Sequence, residues 1–227
     1  MESKNRSLLA LLLVGFVPSI SVIFGIKIID DELTSQIFFL SCKLWIFLIP
    51  TIWYLRVDGD TISKKSPSKD GLKMGLATGL VMSIIILITW LIFESTLEID
   101  QMTATLQSNG LSNINLYILG MIYWIFLNSL LEEYVFRWFV TTKSIIILGN
   151  NNAGIIFSAS LFTLHHAIAL HLFGFLWWQT AIASFGLLSA AAIWSWLYIR
   201  YRSIWVCWLS HAICDVAVFG IGYTILF

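Results

Sequence analysis

Apolar residues run along this chain in blocks too long for the helices of a soluble protein, and short polar stretches separate the blocks. A bilayer core needs about 20 predominantly apolar residues per α-helix. Seven blocks meet that length: Leu8–Ile29, Gln36–Leu55, Leu72–Phe93, Leu116–Val140, Ala153–Leu172, Trp177–Ile199 and Ile204–Phe227. The pattern predicts an all-α, polytopic integral membrane protein with about seven transmembrane helices. The fifth block is the least secure, because His165, His166 and His171 dilute it; a short helix with a re-entrant end at His171–Phe175 is the alternative. The first block follows a basic start, is longer than a signal-peptide core and shows no cleavage box, so it reads as a retained helix.

Composition agrees. The 227 residues are 59% hydrophobic and only 11% charged, whereas soluble domains carry about 25% charged residues. Thirteen basic and thirteen acidic residues cancel, so no electrostatic argument for a nucleic-acid partner exists. The three cysteines, Cys42, Cys207 and Cys214, fall in apolar blocks and read as small hydrophobes rather than as a disulfide or metal framework. Most of the eleven tryptophans fit interfacial belts, such as Trp177-Trp178 and Trp205/Trp208.

Loop charges orient the chain. Lys4 and Arg6 precede the first block, and Asp30, Asp31 and Glu32 follow it. Arg56, Lys64, Lys65, Lys69 and Lys73 follow the second, and Glu94, Glu98 and Asp100 the third. Lys143 follows the fourth, an uncharged link the fifth, and Arg200 and Arg202 the sixth. Basic links alternate with acidic or neutral ones at each crossing. The positive-inside rule then puts the N-terminus in the cytoplasm and the C-terminus on the opposite side. Arg56–Asp70 reads as a solvated cytoplasmic loop, and Glu94–Asn113 as the longest outer loop.

Against this apolar background the ionisable residues inside the blocks stand out. Each costs roughly 2.5–3.5 kcal/mol on insertion scales, so it marks a site by default. Glu132, Glu133 and Arg137 share the fourth block. Glu133 and Arg137 are four apart and can pair, while Glu132 points about 100° away. An unpaired buried glutamate near histidine suits a general base; a plain ion pair with a spare acid is the bland reading. In Phe157–His166, small residues at 158, 159 and 160 permit close packing, and of His165 and His166 only one is expected to meet Glu132. His171, at the membrane edge, reads as ordinary. His211 and Asp215 share one face of the last block. Lys43, mid-way along the second block, carries no assigned role.

Three ordered motifs result: Glu132-Glu133-Tyr134-Val135-Phe136-Arg137, then Phe162-Thr163-Leu164-His165-His166, then His211-Ala212-Ile213-Cys214-Asp215. Together they resemble the CPBP intramembrane protease family, which includes the type II CAAX prenyl endopeptidases and the Abi-type bacteriocin-processing or immunity proteins. The resemblance covers about residues 115–220. It divides the single membrane domain into N-terminal helices, 1–114, and a catalytic helical core, 115–227. It implies that Glu132 activates water, that His166 helps to hold that water, and that His211 lies near the scissile carbonyl. Glu133 and Arg137 then support the site, and His165 matches no site position. Asp215 stands where prenyl endopeptidases have an asparagine that stabilises the oxyanion. As an aspartate it must be protonated, orient His211 or bind a metal.

The implied function is an intramembrane endopeptidase acting on a CAAX-type prenylated protein tail or a related membrane-associated peptide. No cofactor is required on this reading. The alternative is a divalent ion, Zn²⁺, on Glu132, His166, His211 and Asp215, although no H-E-x-x-H motif is present. A proton- or metal-coupled transporter and a non-catalytic immunity-type scaffold are the competing functions.

Overall fold

Each apolar block forms one helix, because a backbone in lipid must satisfy its own hydrogen bonds. The computed structural model describes residues 4–59, 66–107 and 113–227. Seven of its helices are long and apolar enough to cross a membrane: α1 (Lys4–Ile28), α2 (Glu32–Asp58), α3 (Lys69–Thr96), α5 (Ile114–Leu148), α6 (Asn151–Leu172), α7 (Trp177–Tyr201) and α8 (Ile204–Leu226). A short helix, α4 (Ile99–Leu106), lies in the connection between α3 and α5. Lys64 and Lys65, read as cytoplasmic loop charges, lie outside the described residues.

Capping residues explain the starts. Side-chain oxygens of Asp31, Ser68, Asn113 and Asn150 accept backbone N–H groups in the first turns of α2, α3, α5 and α6, satisfying donors that the helix itself leaves free. Asp31 accepts from both the hydroxyl (2.6 Å) and the amide (2.8 Å) of Thr34, which holds its carboxyl below the usual range. At the end of α5, Gly149 takes a left-handed φ of 68° that a side chain would resist.

The fifth span is the expected helix, unbroken from Asn151 to Leu172, so the re-entrant alternative is set aside; one other span differs from expectation. The fourth runs on to Leu148 and takes Lys143 with it. Lys143 is therefore not a loop charge: it is buried, and its Nζ donates to Asp58 Oδ2 at 2.6 Å. That ion pair joins the end of α2 to the end of α5.

The buried core draws on both halves of the chain. Ala10, Leu11, Val14, Ile46, Trp53 and Met82 pack with Val135, Phe136, Phe139, Phe162, Leu197 and Val206. The opposite faces of α2 and α3 are exposed and apolar, as with Leu33, Ile37, Leu40 and Leu44, or Leu80, Ile84, Ile88 and Leu91. In water such a surface would aggregate; in a bilayer it faces lipid.

Lipid tails are as apolar as leucine, so helices associate by close packing rather than by burial of greasy surface. The structure shows the device on α3, where Gly71, Gly75, Gly79 and Ser83 form one buried stripe at four-residue spacing. A Cβ on Gly75 would come within 2.5 Å of the Val206 carbonyl oxygen, and one on Gly79 within 2.9 Å of the Ser210 carbonyl oxygen. Thr78 and Ser210 hydroxyls meet at 3.0 Å, and Ser83 donates to the Ile213 carbonyl at 2.9 Å. This seam holds α8, and with it His211, against α3.

Gly75→Leu is expected to cost about 1–3 kcal/mol through overpacking and to lower the thermal unfolding midpoint in detergent. Gly220→Ala, which would meet nothing within 4 Å, should leave it unchanged. Equal midpoints for the two variants would refute the backbone approach.

Candidate active site

Two π-helical stretches of α5 bracket Glu132: Tyr123–Asn128 before it and Glu133–Thr141 directly after it. Wide turns of this kind shift side chains round the axis and often accompany functional sites. In the second stretch the Phe136 carbonyl accepts the hydroxyls of Thr141 (2.8 Å) and Ser158 (3.0 Å). The small residue Ser158 thus lets α6 sit directly against this part of α5.

The two adjacent glutamates have different surroundings. Glu133 is fully buried. Its Oε2 lies 3.1 Å from Arg137 Nε, and its Oε1 lies 2.9 Å from His211 Nδ1. A carboxylate only accepts, so His211 Nδ1 carries the hydrogen of that contact. Arg137, also fully buried, reaches Ser195 Oγ through Nη1 at 3.4 Å. Its guanidinium lies over Phe162 at 4.6 Å and near Trp194 at 5.4 Å, an aromatic box that suits a planar cation. Trp194 also stacks on His211, with centroids 4.0 Å apart and planes at 19°, and its Nε1 donates to Ser210 Oγ at 3.1 Å.

Glu132 has no such clamp. Its Oε1 accepts from Asn128 Nδ2 at 2.8 Å. Around it stand His165 Nε2, 3.9 Å from Oε1, and His211 Nε2, 3.8 Å from Oε2. Asp215 Oδ1 lies 3.5 Å from the same His211 nitrogen. His166 spends its Nδ1 hydrogen on the Phe162 carbonyl at 3.1 Å, which leaves Nε2 as an acceptor.

The structure therefore brings Glu132, His166, His211 and Asp215 to one place, with Glu133 and Arg137 behind His211. It corrects the expectation that only one of the two adjacent histidines meets Glu132. Donor atoms of Glu132, His165 and His166 lie within 4.8 Å of one another. Neighbouring residues diverge by about 100° on a helix, but the Glu132 carboxylate sits in the angle between the two rings, close enough for both. This is also the group whose donor geometry could hold a metal ion among the described residues; the set Glu132, His166, His211 and Asp215 does not gather in that way.

Sequence reasoning missed Asn128, Trp194 and the position of Lys43. Asn128 had a signal, since it lies one turn before Glu132 on the same face. Trp194 had none: it is 2% exposed, a core residue and not part of an interfacial belt. Lys43 Nζ donates a short hydrogen bond to Asn128 Oδ1, so the role left open for it lies beside the site.

Residues 114–217 match the family model described as type II CAAX prenyl endopeptidase Rce1-like. That region is similar to the Rce1-like family. It contains every residue of the three motifs, and it leaves α1, α2 and α3 outside. No curated protein and no solved structure matches the chain.

Glu133→Ala and Arg137→Ala should each cost about 3–5 kcal/mol by leaving a buried charge unpaired. The double variant should lose clearly less than the sum. Additive losses in thermal unfolding would refute the clamp.

Proposed function

We propose that this chain is an intramembrane endopeptidase that cleaves the tail of a lipidated protein or peptide. The observation that carries the reading is Glu132: a buried carboxylate on an Rce1-like segment, held by the neutral Asn128 amide and ringed by His165, His166 and His211.

On this reading Glu132 takes a proton from a water molecule placed between it and the α6 histidines, and the resulting hydroxide attacks the scissile carbonyl. General-base help of this kind is worth about 10²–10⁴-fold. His211, carrying a hydrogen on each nitrogen between the Glu133 and Asp215 carboxylates, donates from Nε2 to the developing oxyanion, with Trp194 on its ring face. Asp215, 3.5 Å from Nε2, orients that imidazole instead of donating to the oxyanion as an asparagine would. The leaving amine collects the proton from Glu132.

The substrate class rests on the family match and on an open apolar groove of about 420 Å³ between α2, α5 and α8, a volume within the range of ligand sites. Leu44, Phe47, Leu127, Leu131 and Trp205 line it, and it runs beside the Asn128–Glu132 turn. An isoprenoid or similar chain fits those walls. The loop charges orient the protein with the N-terminus in the cytoplasm.

The donor group Glu132, His165 and His166 supports a second reading, in which a divalent ion such as Zn²⁺ lowers the pKa of the attacking water. The first reading needs no resident ion.

The test is cleavage of a fluorogenic farnesylated CAAX peptide by the purified, detergent-solubilised protein. Glu132→Gln should lower kcat at least 100-fold while the thermal midpoint stays near wild type. Activity that survives a strong chelator favours the first reading; activity lost to chelator and restored by Zn²⁺ favours the second. Wild-type cleavage by Glu132→Gln would overturn both.

A further inference from the structure

We propose that Lys43, on a helix outside the Rce1-like segment, is a positioning residue that acts through Asn128 to set the orientation of the Glu132 carboxylate. The proposal rests on the reading of Glu132 as the water-activating group.

The geometry follows from what each group can donate. An ammonium only donates. The short bond from Lys43 Nζ therefore fixes Asn128 with its carbonyl oxygen towards α2. The amide nitrogen must then point the other way, where it donates to Glu132 Oε1 at 2.8 Å. With Oε1 engaged by the amide and turned towards His165, Oε2 is the oxygen that faces His211 at 3.8 Å. Without Lys43 the Asn128 amide can turn over, and its carbonyl would then oppose Glu132.

Placement supports the role. Lys43 is partly buried on α2, over the Phe39 ring at 5.1 Å, and it lines the apolar groove beside Leu127, Leu130 and Leu131. A lysine mid-membrane on a lipid-facing helix is costly, and its polar partner is the residue one turn before Glu132. The relay also links the groove that would hold the substrate's lipid to the group that would attack its peptide.

Cleavage of the farnesylated peptide by Lys43→Met is expected to show kcat lowered by about 10–100-fold, the size expected for losing a hydrogen bond to a charged group. KM should stay within about twofold, as for an interaction realised in the chemical step. Lys43→Arg should restore most of kcat. Asn128→Leu should match Lys43→Met, and the double variant should lose no more than either alone. A second readout does not need turnover: the infrared carboxylate band of Glu132, assigned by its loss in Glu132→Gln, should shift in Lys43→Met and hold its place in Lys43→Arg. Wild-type kcat in Lys43→Met, or an unmoved band if the peptide is not cleaved, would overturn the proposal. If Glu132→Gln cleaves like wild type, the function reading fails, and the band alone then decides whether Lys43 orients Glu132.

Discussion

One buried carboxylate organises this protein. Glu133 accepts from Arg137 on its own helix and from His211 on α8. A buried carboxylate with a single partner would be a liability, because taking charges out of water costs more than one contact returns. Two donors, with Ser195 and the rings of Phe162 and Trp194 around the guanidinium, make the group tolerable. Three helices, α5, α7 and α8, must come together for the charge to be satisfied. That requirement fixes which faces of α5, α7 and α8 meet.

The packing around the clamp follows from the solvent. In a bilayer the helices gain little by hiding apolar side chains from one another. Close backbone approach does the work, at the Gly71–Gly75–Gly79 stripe against α8 and at Ser158 and Ala159 of α6. Apolar residues on the far faces of α2 and α3, such as Leu40 and Leu80, turn outward. Within this frame α1, α2 and α3 share a core with the Rce1-like region, and α2 contributes Lys43 to the neighbourhood of the site.

The two glutamates are neighbours in sequence and opposites in setting. Glu133 is held by Arg137 and His211; Glu132 is held by one neutral amide and faces histidines at 3.8–3.9 Å. The first setting suits a structural anchor, the second a group free to exchange a proton. On the proposed reading, the rigid half of the pair positions His211 so that the mobile proton of the other half has a defined place to go.

Hydrophobic run length alone determined the seven helices, since crossing lipid demands length and internal hydrogen bonds whatever the neighbours are. Four-residue spacing likewise made the Glu133–Arg137 and His211–Asp215 pairs legible, because contacts within one helix depend only on local geometry. The extent of α5 to Leu148 and the burial of Lys143 were not legible, as they depend on a partner from elsewhere in the chain, Asp58. The same holds for His165, Trp194 and Lys43, whereas Asn128 was legible in its four-residue spacing to Glu132 and was missed. Which face of a helix meets which neighbour is set by crossing angles and by the π-helical turns in α5, and these depend on side chains far apart in the chain. The sequence by itself determined which charges lie in the membrane; only the tertiary structure decided which of them meet, because meeting is a property of packed helices and not of spacing along one.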